Sequence, residues 1–364
     1  MKKSLTRFKK EIIFFCPSIE EGGVEKNLAL ICNGVSINQN ISIITANKNK
    51  KKFFKKNVNF ISAKTNFFDK KNRFIKSIFC AYLLLKNYNS QKKTIVSFQA
   101  NILAVFISKI LDYKVIIRSN QSPNYYANNF FKKKIMTFFF KKADKIIVNS
   151  EDFKKEFKKF FNLKTYSIYN LMEDQYKLKN LANKKINNNF FSNSKKIINI
   201  LSIGRLVEQK DQITILKALN LIKNKKEFRF YLIGKGNKYH YLKKFINEKS
   251  LNKKVRILNF KNNIYPYYKK ADLFILSSLY EGLPNVLIEA LTFGIPIIAS
   301  NCKTGPKEIL NGEKYGKLFK IKDYGYLSKL ILKSKKNNNI ELIKDKRFDF
   351  NTNLQKYKNL INSI

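Results

Sequence analysis

The stretch 273–299, LFILSSLYEGLPNVLIEALTFGIPIIA, reads in one pass as strand, loop, helix, turn and strand. Residues 273–276 form a short apolar run of the kind a parallel sheet buries on both faces. Pro284 fits a first helical position because its fixed φ is already helical, and residues 285–292 carry the helical pattern. Gly294 suits the position just past the C-cap, and Pro296 follows where no helix continues. In open α/β sheets, ligands lie beyond the carboxyl ends of the strands. The loop after Leu276 is therefore the first place to look for chemistry.

Working outward, similar β-branched or aromatic runs recur at 12–16, 41–46, 58–62, 94–98, 115–118 and 146–149, with helical stretches between them. Such alternation predicts βαβ units around a parallel sheet. From 171 to 194 the chain is polar, rich in Asn and Lys and without periodicity, which predicts an interdomain linker. A second series follows at 197–203, 228–233, 255–260, 273–276 and 295–299. The expected organisation is a first Rossmann-like domain over 1–170, the linker over 171–194 and a second over 195–340. The remaining segment, 341–364, is expected to be helical. A length of 364 residues accommodates two such domains.

Lys and Arg number 73 against 25 Asp and Glu, a formal net charge of +48. That excess favours polyanions or anionic membrane surfaces. Lys, Asn, Ile and Phe are nevertheless enriched together, as AT-rich coding produces, and the charges are dispersed along the whole chain. The four cysteines are far apart, with no Cys-x-x-Cys, and there is one His. Neither a zinc site nor a disulfide framework is expected, and a cytoplasmic setting fits. The apolar run at 12–16 is too short for a signal peptide and reads as a first strand. Lys109 interrupts the longest apolar stretch, so no membrane-spanning helix is expected.

Three loops of the second half carry ligand chemistry. After the strand ending at Ile203 come Gly204, Arg205 and, five positions on, Lys210, just before a helical pattern. Arg offers a bidentate fork, Lys a mobile point charge, and a helix start offers free N–H groups, a set that suits phosphate. The next strand ends in Gly234-Lys235-Gly236, where backbone is able to approach a ligand closely. It lacks the third glycine of a dinucleotide fingerprint, which argues against an NAD enzyme. Glu281 stands in the loop before the helix at 285–292, with Glu289 about two turns away. Two carboxylates suit a ligand rich in hydroxyls, and the backbone of Gly282, Leu283, Pro284 and Asn285 at the helix start adds donors.

Together, Gly204-Arg205 with Lys210, and Glu281-Gly282-Leu283-Pro284-Asn285 with Glu289, resemble glycosyltransferase family 4 and its Glu-x7-Glu motif. Gly22-Gly23-Val24-Glu25-Lys26 resembles that family's first glycine loop, and Thr304-Gly305-Pro306-Lys307-Glu308-Ile309 its segment beside the nucleotide. The resemblance implies the GT-B fold, two facing Rossmann-like doubly wound α/β domains with a C-terminal helix, here 351–361, that crosses back to the first. It implies transfer of a hexose or N-acetylhexosamine from a nucleotide-diphosphate sugar, a UDP-sugar favoured, with retention of configuration. Arg205 and Lys210 would hold the diphosphate and Glu281 the sugar hydroxyls. Glu289 would hold the ribose, with Gly22, Gly23 and Gly234 close to the donor. The family often places a His in the first domain. The one His here, His240, lies in the second half, and Arg118 and Asn120 are the candidates for sugar or acceptor contact instead.

No Asp-x-Asp occurs, so no cofactor and no essential divalent metal are expected. A lipid-linked or growing saccharide acceptor of bacterial surface glycan synthesis fits the family. Residues 129–142 interleave Phe with Lys in an expected helix suited to an anionic leaflet, unless Phe138 and Phe139 pack into the core. Peripheral attachment to the inner face of the cytoplasmic membrane would follow. Two other readings are a basic nucleic-acid-binding protein and a nucleotide-sugar epimerase. No element for specific nucleic-acid readout accompanies the charge, and an epimerase would want more acid/base machinery than one His.

Overall fold

A computed structural model describes residues 11–20, 22–37, 39–87, 93–123, 129–186, 190–336, 342 and 345–364. The chain divides into two compact units, Met1–Leu171 with Arg347–Ile364, and Met172–Lys346.

The first unit holds a sheet of β1 (Ile12–Phe15), β2 (Ile41–Ile44), β3 (Val58–Ile61), β4 (Thr94–Ser97), β5 (Lys114–Ser119), β6 (Lys145–Val148) and β7 (Tyr166–Ser167). Its order is β3-β2-β1-β4-β5-β6-β7, and every described pairing is parallel. All residues of β1, β2 and β4 are buried. Helices cover both faces, so these strands read as apolar runs without alternation. One face packs the helix Gly23–Val35, the other the helices Arg73–Asn87, Asn101–Ile110, Phe130–Lys142 and Glu151–Phe161.

The second unit repeats the plan with β8 (Ile198–Ile203), β9 (Phe228–Ile233), β10 (Val255–Leu258), β11 (Leu273–Leu276), β12 (Ile297–Ser300) and β13 (Lys317–Phe319). The order β10-β9-β8-β11-β12-β13 is again parallel throughout. Strand order reverses between β1 and β4 in one unit and between β8 and β11 in the other. In such sheets ligands bind at that reversal, outside the carboxyl ends of the strands. The loops after β8 and β11 are the two that carry Arg205, Lys210 and Glu281.

The edge strands β7 and β13, of two and three residues, are too short for an apolar run to announce them. The stretch expected to be a bare linker contains a helix, Gln175–Ala182, whose N-cap Asp174 accepts the amides of Tyr176 and Lys177. Leu178 and Ala182 of this helix are buried, and Leu181 O accepts from Asn263 Nδ2. Two buried residues in two turns leave little periodic signal to read.

The final helix, Phe350–Asn362, packs on Gly23–Val35 of the first unit, burying Leu354, Tyr357, Leu360 and Ile361. At Gly34 an added Cβ would lie 2.6 Å from Leu354 Cδ2, so the missing side chain lets the two helices close together. Leu354→Ala should cost about 2–5 kcal/mol, measured as a lower urea midpoint with an unchanged slope. A cost below about 0.5 kcal/mol, the scale of surface changes, would show that the helix is not docked in solution.

Candidate donor site at the strand ends of the second unit

β8 and β11 are hydrogen-bonded neighbours, and their loops lace together beyond the sheet. Leu279 N donates to Gln209 O at 2.8 Å, Gln209 Nε2 to Tyr280 O at 2.9 Å, and Ser277 Oγ to Lys210 O at 2.9 Å. This brings Lys210 Nζ onto Glu281 Oε1 at 2.5 Å, where Ser278 Oγ also donates. The pair is well shielded, with side-chain exposures of 14% for Lys210 and 7% for Glu281. Removing one partner of a buried ion pair leaves a bare charge, so neither group is free to leave without cost. Glu281 and burial together push the Cys302 thiol up to about 12, with burial the larger cause.

Arg205 lies at the rim, its Nη2 3.3 Å from Gln209 Oε1, while its carbonyl accepts from Gln212 Nε2. Gly204 and Gly234 meet back to back. A Cβ on Gly234 would stand 1.9 Å from Gly204 O, a clash with backbone that no rotamer relieves. Glycine at 234 is therefore needed for the Arg205 loop to close over the end of β9.

The helix after this loop runs Asn285–Thr292 as expected, but Pro284 is its N-cap, one residue before the helical position assigned to it. Gly294 has φ 65, matching its place beyond the C-cap. Thr304 Oγ1 donates to Glu281 O, and Gly305, at φ 91, approaches Gly282 so closely that a Cβ would lie 2.4 Å from Gly282 O. The Thr304–Gly305 turn thus clamps the Glu281-Gly282 loop from β12. Glu289 is 2% exposed and accepts the phenol of Tyr268 at 3.0 Å. Its two neighbours in this packing, burial first and then the Glu289 charge, raise the Tyr268 phenol well above its ordinary value.

Ser278, Tyr268 and Gln209 were not singled out as site residues by sequence reasoning. Ser278 had the clearest signal, since it follows directly on a buried strand. Tyr268 sits in a helix, Tyr265–Lys270, whose partner at Glu289 only the fold reveals.

In the first unit, Gly22 caps the helix Gly23–Val35 and both glycines are exposed at the end of β1. Gln99, after β4, spans the strand reversal: it accepts from Ser18 N at 3.0 Å and donates to Ser18 O at 2.8 Å and Glu25 Oε1 at 3.3 Å. Arg118, a candidate for sugar or acceptor contact, lies at the end of β5. It is 1% exposed, donates to Asn170 Oδ1 and lies 5.0 Å from the Phe98 ring centroid. Its Nε and Nη1 are buried and have no hydrogen-bond partner among the described residues. Asn120 is half-buried, with Nδ2 on Phe98 O and a buried Oδ1 that has no partner among the described residues. His240 is exposed on the helix Tyr239–Glu248.

Residues 182–356 match the family described as Glycosyl transferases group 1. The chain is 33% identical over 211 residues to an uncharacterized glycosyltransferase of Methanocaldococcus jannaschii, covering 56% of this chain and 52% of that protein. It is 27% identical over 216 residues to a Campylobacter jejuni enzyme named N-acetylgalactosamine-N,N'-diacetylbacillosaminyl-diphospho-undecaprenol 4-alpha-N-acetylgalactosaminyltransferase, covering 57% of this chain and 56% of the enzyme. The chain thus spans about half the length of these curated relatives. Its fold resembles that of Anabaena HepE in complex with UDP and glucose, at TM-score 0.70 and 17% identity, covering 97% of this chain and 99% of that one. The sheet order and the likeness to HepE show a GT-B fold of two Rossmann-like units.

Proposed function

We propose that the chain is a retaining glycosyltransferase that moves a hexose or N-acetylhexosamine from a UDP-sugar to a lipid-linked saccharide. The observation that carries this reading is the Lys210–Glu281–Ser278 cluster at the strand reversal, within the segment that matches the group 1 transferases. With Oε1 of Glu281 held by Lys210 and Ser278, Oε2 is the oxygen turned to a sugar hydroxyl. The remaining N–H groups of Lys210 and the guanidinium of Arg205 meet the diphosphate. The undecaprenol-linked substrate named for the Campylobacter relative supports the acceptor class, and the UDP bound by HepE supports the base.

In this reading the acceptor hydroxyl attacks the anomeric carbon on the face from which the diphosphate departs. The bond from that carbon to the phosphate oxygen breaks, the new glycosidic bond forms, and the hydroxyl proton passes to the departing oxygen. No protein nucleophile is required. Orientation and stabilisation of the charge that grows on the diphosphate are the chain's contributions. Glu289, buried against Tyr268, serves the ribose by holding the helix Asn285–Thr292 in place as much as by contact.

Acceptor-dependent release of UDP is the direct test. Release only when an undecaprenyl-diphosphate saccharide is present supports transfer, whereas interconversion of the donor sugar without acceptor would mean an epimerase. Glu281→Gln should lower kcat by about 10²–10³, assayed well below a thermal melt that the unpaired Lys210 charge will itself lower. Wild-type turnover in that variant would sink the assignment. Activity should persist in EDTA, because Arg205 and Lys210 take the place of a metal. Loss in EDTA restored by Mn²⁺ or Mg²⁺ would overturn that role.

A further inference from the structure

The helix Phe130–Lys142 does not bury Phe138. Met136 and Phe140 face the core instead, and Phe131, Ile135 and Phe138 are 74%, 50% and 53% exposed. These three positions follow i, i+4, i+7 and share one side of the helix. The helix Asn101–Ile110 packs beside it and exposes Phe106 and Ile110. Next to that, Arg73–Asn87 exposes Phe74, Ile78, Tyr82 and Leu85, again one helical stripe. All three helices bury their opposite sides in the same core on one face of the first sheet, so their stripes share an outward side.

We propose that this three-helix layer is a docking face for an anionic phospholipid bilayer. Two observations separate it from compositional bias. Bias in coding would scatter Phe and Ile over every helix. Yet among the described α-helices exposed Phe and Ile occur only on these three, and what other helices expose is Tyr or Leu, as at Tyr176, Leu221, Tyr241 and Tyr326. Charge is also predominantly positive: the three helices contain no Asp or Glu and carry exposed Lys86, Lys132, Lys134, Lys141 and Lys142, while Arg73 and Lys109 are paired with Glu20 and Asp144 from neighbouring segments. An apolar surface of this extent on a lone soluble chain marks an interaction site. The lysines of helix Phe130–Lys142, with no carboxylate on that helix, match phosphate headgroups, and aromatic and aliphatic tips match the acyl boundary below. Lys142 Nζ sits 4.4 Å from the Phe138 ring centroid, so its stem covers the ring and its charge is placed to reach headgroups when the ring inserts. No helix among the described residues is long and apolar enough to cross a membrane, and contact of this kind needs none.

Flotation of the full chain with phosphatidylglycerol/phosphatidylethanolamine vesicles tests the face. It should bind these at low salt and pass over pure phosphatidylcholine. Two triple variants separate the helices: Phe74→Ser with Ile78→Ser and Tyr82→Ser, and Phe131→Ser with Ile135→Ser and Phe138→Ser. Each should lower partitioning about tenfold or more, roughly 1.4 kcal/mol, while thermal melts confirm that both still fold. Changing Lys132, Lys133 and Lys134 together to Gln should remove mainly the salt-sensitive part. Absence of wild-type binding at low salt would overturn the proposal. Loss from the second triple alone would reduce the face to one helix and overturn the three-helix layer. Sedimentation as a dimer that both triples disperse, without flotation, would assign the face to a second copy instead. Flotation needs no sugar transfer, so its failure and the failure of the proposed reaction are separately visible.

Discussion

Lys210 and Glu281 are separated by 71 positions in the chain and meet only because β8 and β11 are neighbours at the strand reversal. That ion pair fixes what surrounds it. Gln209 is drawn onto Tyr280, Ser277 onto the Lys210 carbonyl, and the Thr304–Gly305 turn closes over the far side of the Glu281 loop. The result is a carboxylate and two cations held on rigid strand ends before any ligand arrives. Preorganisation of that kind is what lets fixed charges act on a transition state without reorganising during the reaction.

The sequence was legible where physics is local. The buried strands of both sheets lack polar alternation because helices cover both faces, and β9 and β11 fall on the expected residues. The helix Asn285–Thr292 and its Gly294 exit were readable from Pro, Gly and apolar spacing for the same reason, whereas the final helix was expected only from the family resemblance. What was hidden depends on contacts across the fold. The edge strands β7 and β13 are too short to show a run, and Gln175–Ala182 too short to show a period. That Arg118 is buried against Phe98 and Asn170 is likewise set by contacts from other elements. Tyr268 has no sequence signal at all, since its partner Glu289 approaches from another element.

Charge and aromatic content were ambiguous in the sequence because both are enriched along the whole chain. The fold separates them. Phe140 and Phe157 stack inside the first core, whereas Phe131 and Phe106 look outward from the same helical layer. The same residue type thus serves packing on one side of a helix and offers a surface on the other. The distinction rests on which side faces the sheet, a property that no window of sequence states alone.

The most direct test of the central claim is the structure of this protein bound to a UDP-sugar. The account predicts sugar hydroxyls within hydrogen-bond distance of Glu281 and diphosphate oxygens on Arg205 and Lys210, with the Ser278 contact to Glu281 retained. A complex with the diphosphate elsewhere, or with Glu281 facing away from the sugar, would contradict it.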